Sequence, residues 1–365
     1  MITNILIKNF KSLKDVSIAV KSLNLLMGLN GMGKSSFIQM LLLLMQSDNL
    51  EKNSIDLNGS LTNIGQGQDA LYQFSFDDFI EFGLCLNEKE KFNWKLRYQT
   101  DKDKLTAEIG HESNSMQHFR DCTNKFQFIS AERIGAQDLY DASNVIVSDK
   151  KHIGLWGEYA AYYLNVFGDK YKVKKTLQHK NATSNTLSAQ INAWLSEISP
   201  GIMANTKYIR EINKVILDYQ FTLECGTTNC FKSKNVGFGI TYVLPVLLSL
   251  LTVEDKKIIV IENPESHIHP RGQAELGKLI ALAAQAGAQL FVETHSDHIL
   301  NGIRIAVKEK DIDKDSVNIL YFDKKTTDSE QYSQITPIKV DENGELSDYP
   351  RDFLDEWNNQ LLKLI

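Results

Sequence analysis

The chain of 365 residues has few cysteines, and their spacing excludes two common kinds of stabilised fold. Neither disulfide spacing nor zinc-site spacing is present among the four, which are Cys85, Cys122, Cys225 and Cys230. Cys225 and Cys230 flank a Gly-Thr-Thr-Asn turn and are predicted to be hairpin residues. Residues 1–10 read as a strand rather than a secretion signal. We therefore expect the protein in the reducing cytoplasm.

Long apolar runs and an excess of positive charge are also missing. The most apolar stretches, residues 40–45 and 243–253, are too short to span a bilayer, so no membrane segment is predicted. We find no internal repeat, no low-complexity segment and no sustained heptad pattern. A net charge of −6 argues against wholesale coating of DNA, although it permits a local basic groove.

A phosphate-binding loop is the most informative feature that the chain does contain. Residues 28–35, Gly-Leu-Asn-Gly-Met-Gly-Lys-Ser, fit the pattern G-x-x-x-x-G-K-[ST] at every fixed position. An apolar strand is predicted before the loop and a Leu-rich helix after it, so backbone N–H groups and the positive helix end point at one place. Lys34 would reach the β and γ phosphates of a nucleotide, and the Ser35 hydroxyl would bind Mg²⁺.

The order of predicted elements indicates an α/β core that is interrupted by a large insertion. Residues 1–46 read as strand, turn, strand, loop and helix, and alternating strands and helices return from residue 236 onward. Such alternation predicts a mostly parallel sheet covered by helices. Antiparallel strands are predicted at 71–76, 80–86, 92–99 and 105–109, a further strand at 126–130, helices within 151–217, and a hairpin from 219–225 and 230–232.

Two more apolar strands, 257–261 and 289–293, are followed by polar residues where ligands of open α/β sheets bind. The first is followed by Glu262, which occupies the place of a Mg²⁺-binding carboxylate in P-loop enzymes; the alternative is a buried strand with an acidic turn. The second leads to His295, which could hydrogen-bond a γ-phosphate or hold an attacking water; the alternative is a satisfied loop histidine. Gly237 and Gly239 precede an apolar helix and form a weaker candidate phosphate cradle.

These four pieces, in this order, resemble an ABC-type ATPase of the SMC/RecF/OLD kind. The segment "IKNFKSLKDVSI…LNLLMGLNGMGKSS" resembles its N-terminal strand pair and Walker A motif, and "GFGITYVLP" lies in the position of its signature motif. "IIVIENPESHIHP" resembles its Walker B motif and D-loop, and "LFVETHSDHIL" its switch-histidine loop. "FISAERIGAQ" resembles a segment of OLD-like members. The resemblance implies a P-loop NTPase head with a mostly parallel sheet, an antiparallel β subdomain and a helical insertion.

The family resemblance also implies roles for individual residues. A head-to-tail homodimer would hold two ATP molecules with Mg²⁺, each between one subunit's Walker A motif and the other's signature loop. Glu262 would be the Walker B acid and a metal ligand with Ser35, and His295 would be the switch residue. The nucleotide-binding residues implied are Gly28, Asn30, Gly31, Gly33, Lys34, Ser35, Ser36, Gly237 and Gly239. We expect an N-terminal lobe at 1–140, the helical insertion at 141–217 and a C-terminal lobe at 218–365.

One departure from the family pattern concerns the catalytic glutamate. This residue directly follows the Walker B acid in the family, but here Asn263 occupies the position, and an asparagine cannot accept a proton from water. Either Glu265 supplies the base, or hydrolysis is slow and ATP acts mainly as a dimerising ligand. We expect slow hydrolysis with some help from Glu265.

A second departure is the absence of an effector. SMC-like members carry long coiled coils and OLD nucleases carry an acidic TOPRIM domain, and neither is found in this sequence. Asp352, Asp355 and Glu356 instead resemble a polar helix face. The resemblance therefore implies a stand-alone OLD-like ATPase, similar to those of bacterial anti-phage systems in which a nuclease or other effector is a separate chain. Assemblies larger than a dimer stay open.

Two alternative functions remain open at this stage. A metal-dependent hydrolase would use His267, His269, His295 and His298, with Glu262, Glu265 and Asp297 nearby. A RecF-like DNA-repair clamp would share the ATPase core and bind nucleic acid in a groove lined by the lysines of 170–175 with Lys180, Lys232 and Lys234.

Overall fold

The chain divides into two units. The computed structural model describes residues 1–47, 54–109, 119, 125–350, 353 and 360–364. The first unit comprises 1–126, 314–341 and 345–365, and the second comprises 127–313 and 342–344. Cys122 and the acidic residues Asp352, Asp355 and Glu356 lie outside the described residues.

The described residues form the following strands and α-helices. The strands are β1 (Ile2–Phe10), β2 (Leu13–Ala19), β3 (Leu23–Met27), β4 (Ser54–Asp56), β5 (Phe79–Leu86), β6 (Glu90–Arg97), β7 (Lys104–Ile109), β8 (Phe126–Ile129), β9 (Tyr140–Asp141), β10 (Ile202–Ile209), β11 (Lys214–Leu223), β12 (Gly226–Thr227), β13 (Phe231–Lys232), β14 (Ile258–Glu262), β15 (Gln289–Glu293), β16 (Val317–Thr326) and β17 (Gln331–Ile338). The helices are α1 (Lys34–Gln46), α2 (Gly67–Ala70), α3 (Ala160–Phe167), α4 (Leu187–Ile198), α5 (Phe238–Leu251), α6 (Pro270–Gln285) and α7 (Asp297–Lys308). No helix of the described ranges is long and apolar enough to cross a membrane.

The first unit contains an antiparallel sheet with the strand order β2-β1-β5-β6-β7-β4. Every second residue of β5 is buried, because successive side chains of a strand point to opposite faces. The rings of Phe10 and Phe82 meet edge to face with centroids 5.1 Å apart. The predicted antiparallel subdomain is therefore confirmed.

The prediction of a strand at residues 71–76 of this subdomain is wrong. Residues 71–76 form turns, with a single bridge between Leu71 and Phe10, and the Phe76 side chain is fully exposed. Aromatic enrichment suggested a strand, but Ser75 forms a local turn in which its hydroxyl donates to Asp77 O. Short polar side chains that bond to nearby backbone compete with a sheet ladder in this way.

The phosphate-binding loop lies between β3 and α1. All five residues of β3 are buried, and the strand pairs in parallel with β16, which pairs antiparallel with β17. Helix α1 packs back onto this layer, where the Phe37 and Phe322 rings meet with centroids 5.9 Å apart. The predicted strand–loop–helix unit is thus present.

The second unit carries the parallel pair β14 and β15, in register from Ile258 opposite Gln289 to Glu262 opposite Glu293. The carboxyl ends of both strands therefore reach the same edge. Strand β8 lies beside β14, and α5, α6 and α7 follow the alternation of strands and helices predicted from residue 236 onward. A second sheet has the order β10-β11-β12, with β9 and β13 also paired to β11.

The insertion is less helical than predicted. Helices α3 and α4 are present, but 202–217, expected to continue the helical region, forms β10 and the first part of β11. Val215, Leu217 and Tyr219 are buried at alternate positions of β11, which is the period of a strand. Cys225 and Cys230 are exposed free thiols beside the predicted hairpin, in which β13 pairs with β11.

Candidate functional site

The phosphate-binding loop has a backbone that only glycine adopts without strain. Gly28 has φ +132°, and a Cβ there would lie 2.2 Å from the Phe322 carbonyl oxygen. Gly33 has φ +101°, and a Cβ there would lie 2.3 Å from the Ser333 hydroxyl. Gly31 has φ +76° but open space around it. The first and last glycines of the motif are therefore required both by φ and by close packing.

Lys34 is held inside this loop. Its side chain is only 3% exposed, and its ammonium donates to Gly28 O at 2.8 Å and Leu29 O at 2.9 Å. Gly33 caps α1 in the left-handed conformation and offers no side chain, so the first N–H groups of the helix have no side-chain cap. Asn30, Gly31 and Ser35 are exposed, and Ser36 is half-buried. The loop has the charge and the donors that a phosphate chain requires.

A cavity of about 330 Å³ adjoins the loop at Gly31 within the first unit. Its walls include Lys11, Ser12, Tyr72 and Tyr332. Lys11 donates to Gln39 at 2.7 Å, and burial lowers the pKa of its ammonium. A space of this size next to a phosphate site, with aromatic walls, has the dimensions of a small-molecule pocket.

In the second unit, β14 delivers the predicted acid. Its first four residues are fully buried, and Glu262 follows at the carboxyl end, half-buried. The Ala131 N–H donates to Glu262 Oε2 at 3.1 Å. Burial raises the pKa of the Glu262 carboxyl, which indicates an acid held in poor contact with water.

The residue after this acid is held in a turn that suits asparagine. Asn263 has φ +44°, a left-handed conformation that asparagine adopts more readily than glutamate. Its N–H donates to Glu293 O at 2.8 Å, which ties the turn to the end of β15. Its side-chain oxygen is buried and has no hydrogen-bond partner among the described residues.

Glu265 and the switch loop are joined directly. The backbone N–H of His295 donates to Glu265 Oε1 at 2.8 Å, while Glu265 Oε2 is buried without a partner in the part of the chain that is described. The His295 side chain is exposed, and the next residue, Ser296, caps α7 by accepting from the N–H groups of His298 and Ile299. The structure thus brings Glu262, Asn263, Glu265 and His295 to one edge of the second unit.

The glycine-rich segment before α5 also lies against this turn. Gly237 caps the helix without a side-chain bond, and Phe238 is 48% exposed. A Cβ on Gly239 would lie 2.1 Å from the His267 carbonyl oxygen, whereas one on Gly237 would meet nothing closer than 3.7 Å. Gly239 therefore permits a close approach of two backbones, and Gly237 faces open space.

The histidines predicted as alternative metal ligands do not gather into a site. No group of three or more His, Cys, Asp or Glu side chains suited to a metal ion occurs among the described ranges. His267 instead packs against Phe238 and Tyr242, with ring centroids 5.0 and 4.9 Å away and nearly perpendicular planes. The second unit instead offers oxygen ligands at this edge, namely the Glu262 carboxylate and the oxygens of Asn263 and Glu265 that have no partner among the described residues, and hard cations such as Mg²⁺ prefer oxygen.

Arg133 belongs to this site and was not predicted from the sequence. It lies in the segment "FISAERIGAQ", whose resemblance to OLD-like ATPases was the available signal. Its guanidinium donates to Glu262 O at 2.7 Å, to Asn263 O at 2.7 Å and to Ser130 O at 3.1 Å. The side chain is 3% exposed. It therefore holds the turn after β14 through main-chain oxygens that no sequence motif reports.

Comparison with protein families gives two matches. Residues 23–301 match the AAA_21 family, described as "AAA domain, putative AbiEii toxin, Type IV TA system". Residues 312–364 match a "Protein of unknown function (DUF3696)". No curated protein matches the chain in sequence.

Solved structures of SMC heads are similar in fold. One is the Smc head bound to the C-winged helix domain of ScpA, with a TM-score of 0.56 and 13% identity over 93% of this chain and 98% of that chain. Another is the Smc head domain with an extended coiled coil bound to the C-terminal domain of ScpA, derived from Pyrococcus furiosus, with a TM-score of 0.54 and 11% identity over 100% and 99% of the two chains. The chain therefore has the α/β fold of an SMC-type ATPase head.

The two glycines before and within α5 give a matched test of the packing. Gly239→Ala is expected to lower the free energy of unfolding by about 1–3 kcal/mol, because the new methyl group overlaps the His267 carbonyl. Gly237→Ala, with φ −54° and open space, is expected to lower it by less than about 1 kcal/mol. Urea unfolding of both variants measures this difference, and equal losses would contradict the packing.

Proposed function

The chain belongs to the AAA_21 family of P-loop ATPases, and we propose that it is an ATP-gated dimeric switch that controls a separate effector protein. The observation that carries the proposal is the phosphate-binding loop, in which glycines at positive φ surround a buried Lys34 ammonium. A fold of the SMC-head type is consistent with a nucleotide that joins two copies. We place the switch in the cytoplasm.

ATP is expected to bind along the loop of the first unit. Backbone N–H groups from Gly28 to Gly33, with Asn30 and Gly31 exposed, would surround the phosphates, and Lys34 would exchange its two carbonyl contacts for phosphate oxygens. Ser36 follows at the start of α1. The cavity at Gly31 has room for part of the nucleoside. Mg²⁺ held by the Ser35 hydroxyl would neutralise charge on the phosphate oxygens.

Dimerisation is proposed to occur through the helix start at Gly237 and Gly239. The N–H groups there have no side-chain cap, and Gly237 is exposed, so a phosphate of the partner's nucleotide can approach the backbone. Phe238 adds an exposed aromatic side chain at the same place. ATP would therefore be shared by two copies, which makes the dimer depend on nucleotide.

Hydrolysis is proposed to be slow. Asn263 has no proton-accepting group, and its left-handed backbone disfavours a glutamate at that position. Glu265 is the nearest replacement base, since it has one unpartnered oxygen, and its other oxygen accepts from the His295 N–H. Because Glu265 is hydrogen-bonded to the switch loop, its action as a base would depend on the position of that loop.

The effector is proposed to be a separate chain, such as a nuclease, in a bacterial anti-phage system. The family description names an AbiEii toxin and a type IV toxin–antitoxin system. The similar Smc heads are bound to parts of ScpA, so heads of this fold do carry a separate partner protein. These likenesses support a head that signals its nucleotide state to another protein.

ATP-dependent assembly tests the proposal directly. Wild-type protein is expected to double its mass by light scattering when ATP and Mg²⁺ are added. Lys34→Ala should stay at its starting mass, because the phosphates lose their ammonium partner. A wild-type mass that stays monomeric with saturating ATP would contradict the switch, and a mass that is already dimeric without ATP would contradict gating by nucleotide.

The assignment of the base is tested by changing one atom at each of two positions. Glu265→Gln keeps the acceptor for the His295 N–H and should slow single-turnover phosphate release by about 100-fold, because it removes the only proposed base. Asn263→Asp fits the same left-handed turn and should raise the rate several-fold. Nucleotide binding, measured by fluorescence of an ATP analogue, should stay constant. An unchanged rate in Glu265→Gln would remove Glu265 from this role.

A RecF-like function in nucleic acid binding is the second candidate, and a basic edge of the second unit favours it. We define the basic edge as Lys150, Lys151, Lys174, Lys175 and Lys256. Lys151 pairs with Glu254 at 3.1 Å and Lys174 with Asp255 at 2.6 Å, so three separate segments meet at the amino end of β14. This end is opposite to Glu262.

A buried lysine, Lys257, directly follows Lys256 of the basic edge. Burial lowers the pKa of Lys257 to about 8, and nearby Lys151 lowers it further. Of the predicted groove, Lys174 and Lys175 belong to the edge, whereas Lys232 and Lys234 pair with Asp138. A phosphate backbone would supply further anions to this cluster of ammonium groups.

Charge reversal tests the basic edge. The triple change Lys150→Glu, Lys175→Glu and Lys256→Glu is expected to weaken binding of a fluorescent duplex at least tenfold and to reduce the salt dependence, because about three phosphate contacts are lost. The control reverses three exposed lysines of the first unit, Lys89, Lys91 and Lys102, with the same change in net charge. Equal losses in both variants, or no binding by wild-type protein, would contradict this candidate.

A further inference from the structure

We infer that Arg133 is a positioning residue that locks the turn after β14 to the start of α5, so that the base-bearing turn and the proposed phosphate-contacting helix end move as one piece. The inference rests on the proposed function, since it concerns the regulation of the same site. It differs from that function in assigning a role to a residue that touches neither nucleotide nor metal. Its test therefore includes a readout that does not require ATP.

The contacts of Arg133 to the turn are made only to main-chain oxygens. Two guanidinium nitrogens reach the carbonyls of Glu262 and Asn263, both at 2.7 Å, and one of them also reaches Ser130 O at 3.1 Å. These carbonyls belong to the predicted acid and to the residue that replaces the usual base. A planar fork that binds two successive carbonyls fixes the orientation of the peptide between them, which a single ammonium cannot do.

Burying the charged guanidinium of Arg133 costs desolvation free energy, which argues for a specific role. Arg133 is 3% exposed, and burial lowers the pKa of its guanidinium to about 10, so it stays charged at neutral pH. Glu265 and Glu262 lie close enough to offset part of this shift. The contacts to carbonyls and carboxylates therefore compensate a loss of hydration that an apolar side chain would not incur.

Three buried polar atoms of Arg133 and of the turn have no hydrogen-bond partner within the described residues. They are Arg133 Nε, Asn263 Oδ1 and Glu265 Oε2. Arg133 therefore holds the turn through its two terminal guanidinium nitrogens alone.

The other face of Arg133 contacts the signature end of α5. Its guanidinium carbon lies 5.5 Å from the centre of the Tyr242 ring, and Tyr242 in turn packs against Phe238 with centroids 4.8 Å apart. His267 contacts both rings from the turn. Two residues beyond Arg133, a Cβ on Gly135 would lie 2.8 Å from the Phe238 ring. The turn, the 130–135 segment and the helix start are therefore in mutual contact.

The test compares Arg133→Met and Arg133→Lys with Arg271→Met, an exposed arginine of the same unit whose partner Glu197 lies 3.5 Å away. Single-turnover hydrolysis should fall about 100-fold in Arg133→Met, the loss expected from a misplaced catalytic geometry, while the KM for ATP changes less than about threefold. Arg133→Lys should recover part of the rate, because lysine keeps the charge but not the fork. Arg271→Met should match the wild type.

Amide hydrogen exchange without nucleotide gives the second readout. In Arg133→Met, exchange should accelerate at residues 263–268 and 237–242 together, while residues 202–220 of β10 and β11 stay protected. Tyr242→Leu keeps the carbonyl contacts and should accelerate exchange at 237–242 only. Exchange that rises throughout the second unit would show a general structural role and overturn the inference, as would unchanged exchange at 263–268.

The two readouts separate failure of the inference from failure of the proposed function. If ATP neither dimerises the wild-type protein nor is hydrolysed by it, the proposed function fails, while the exchange pattern still decides whether Arg133 joins the two elements. If hydrolysis is normal in Arg133→Met, the inference fails and the proposed function stands. Should Arg133→Met not fold, Arg133→Lys and Tyr242→Leu provide the same comparison.

Discussion

The site depends on one constraint, which is that a fully buried strand can carry a charged side chain only where it ends. Residues 258–261 are completely buried, so Glu262 is the first place in β14 at which a carboxylate keeps some exposure. In the first unit β3 is buried throughout, and the phosphate-binding loop begins with the next residue, Gly28. Each unit therefore places its chemistry at the carboxyl end of an apolar strand.

The second requirement is close approach between backbones. Gly28, Gly33 and Gly239 each lie where a Cβ would come within about 2.3 Å of an oxygen of another segment. Asn263 achieves a similar tight turn with a left-handed backbone and a short side chain. The same backbone geometry restricts which side chains these positions accept without strain.

Much of the fold was predictable because its signals are local. The loop at 28–35, the apolar run before Glu262 and the helix after Gly237 each show their structure in a dozen neighbouring residues, and the structure agrees with all three. The predictions that were wrong concern which segments pair as β-strands. Residues 202–217 form strands because β10 and β11 pair with each other, and 71–76 do not form one because the chain there turns instead. Propensity yields to tertiary context in such cases.

The sequence by itself determined the class of chemistry, because the spacing of glycines, Lys34 and Ser35 in one loop specifies a phosphate site before any packing is known. The tertiary structure alone decided how the acid end is organised. Arg133 binds carbonyls about 130 residues away in the chain, and Glu265 accepts from the backbone of His295. Every residue type has main-chain groups that can form such hydrogen bonds, so no pattern of residue types predicts these contacts. Only the folded chain reveals them.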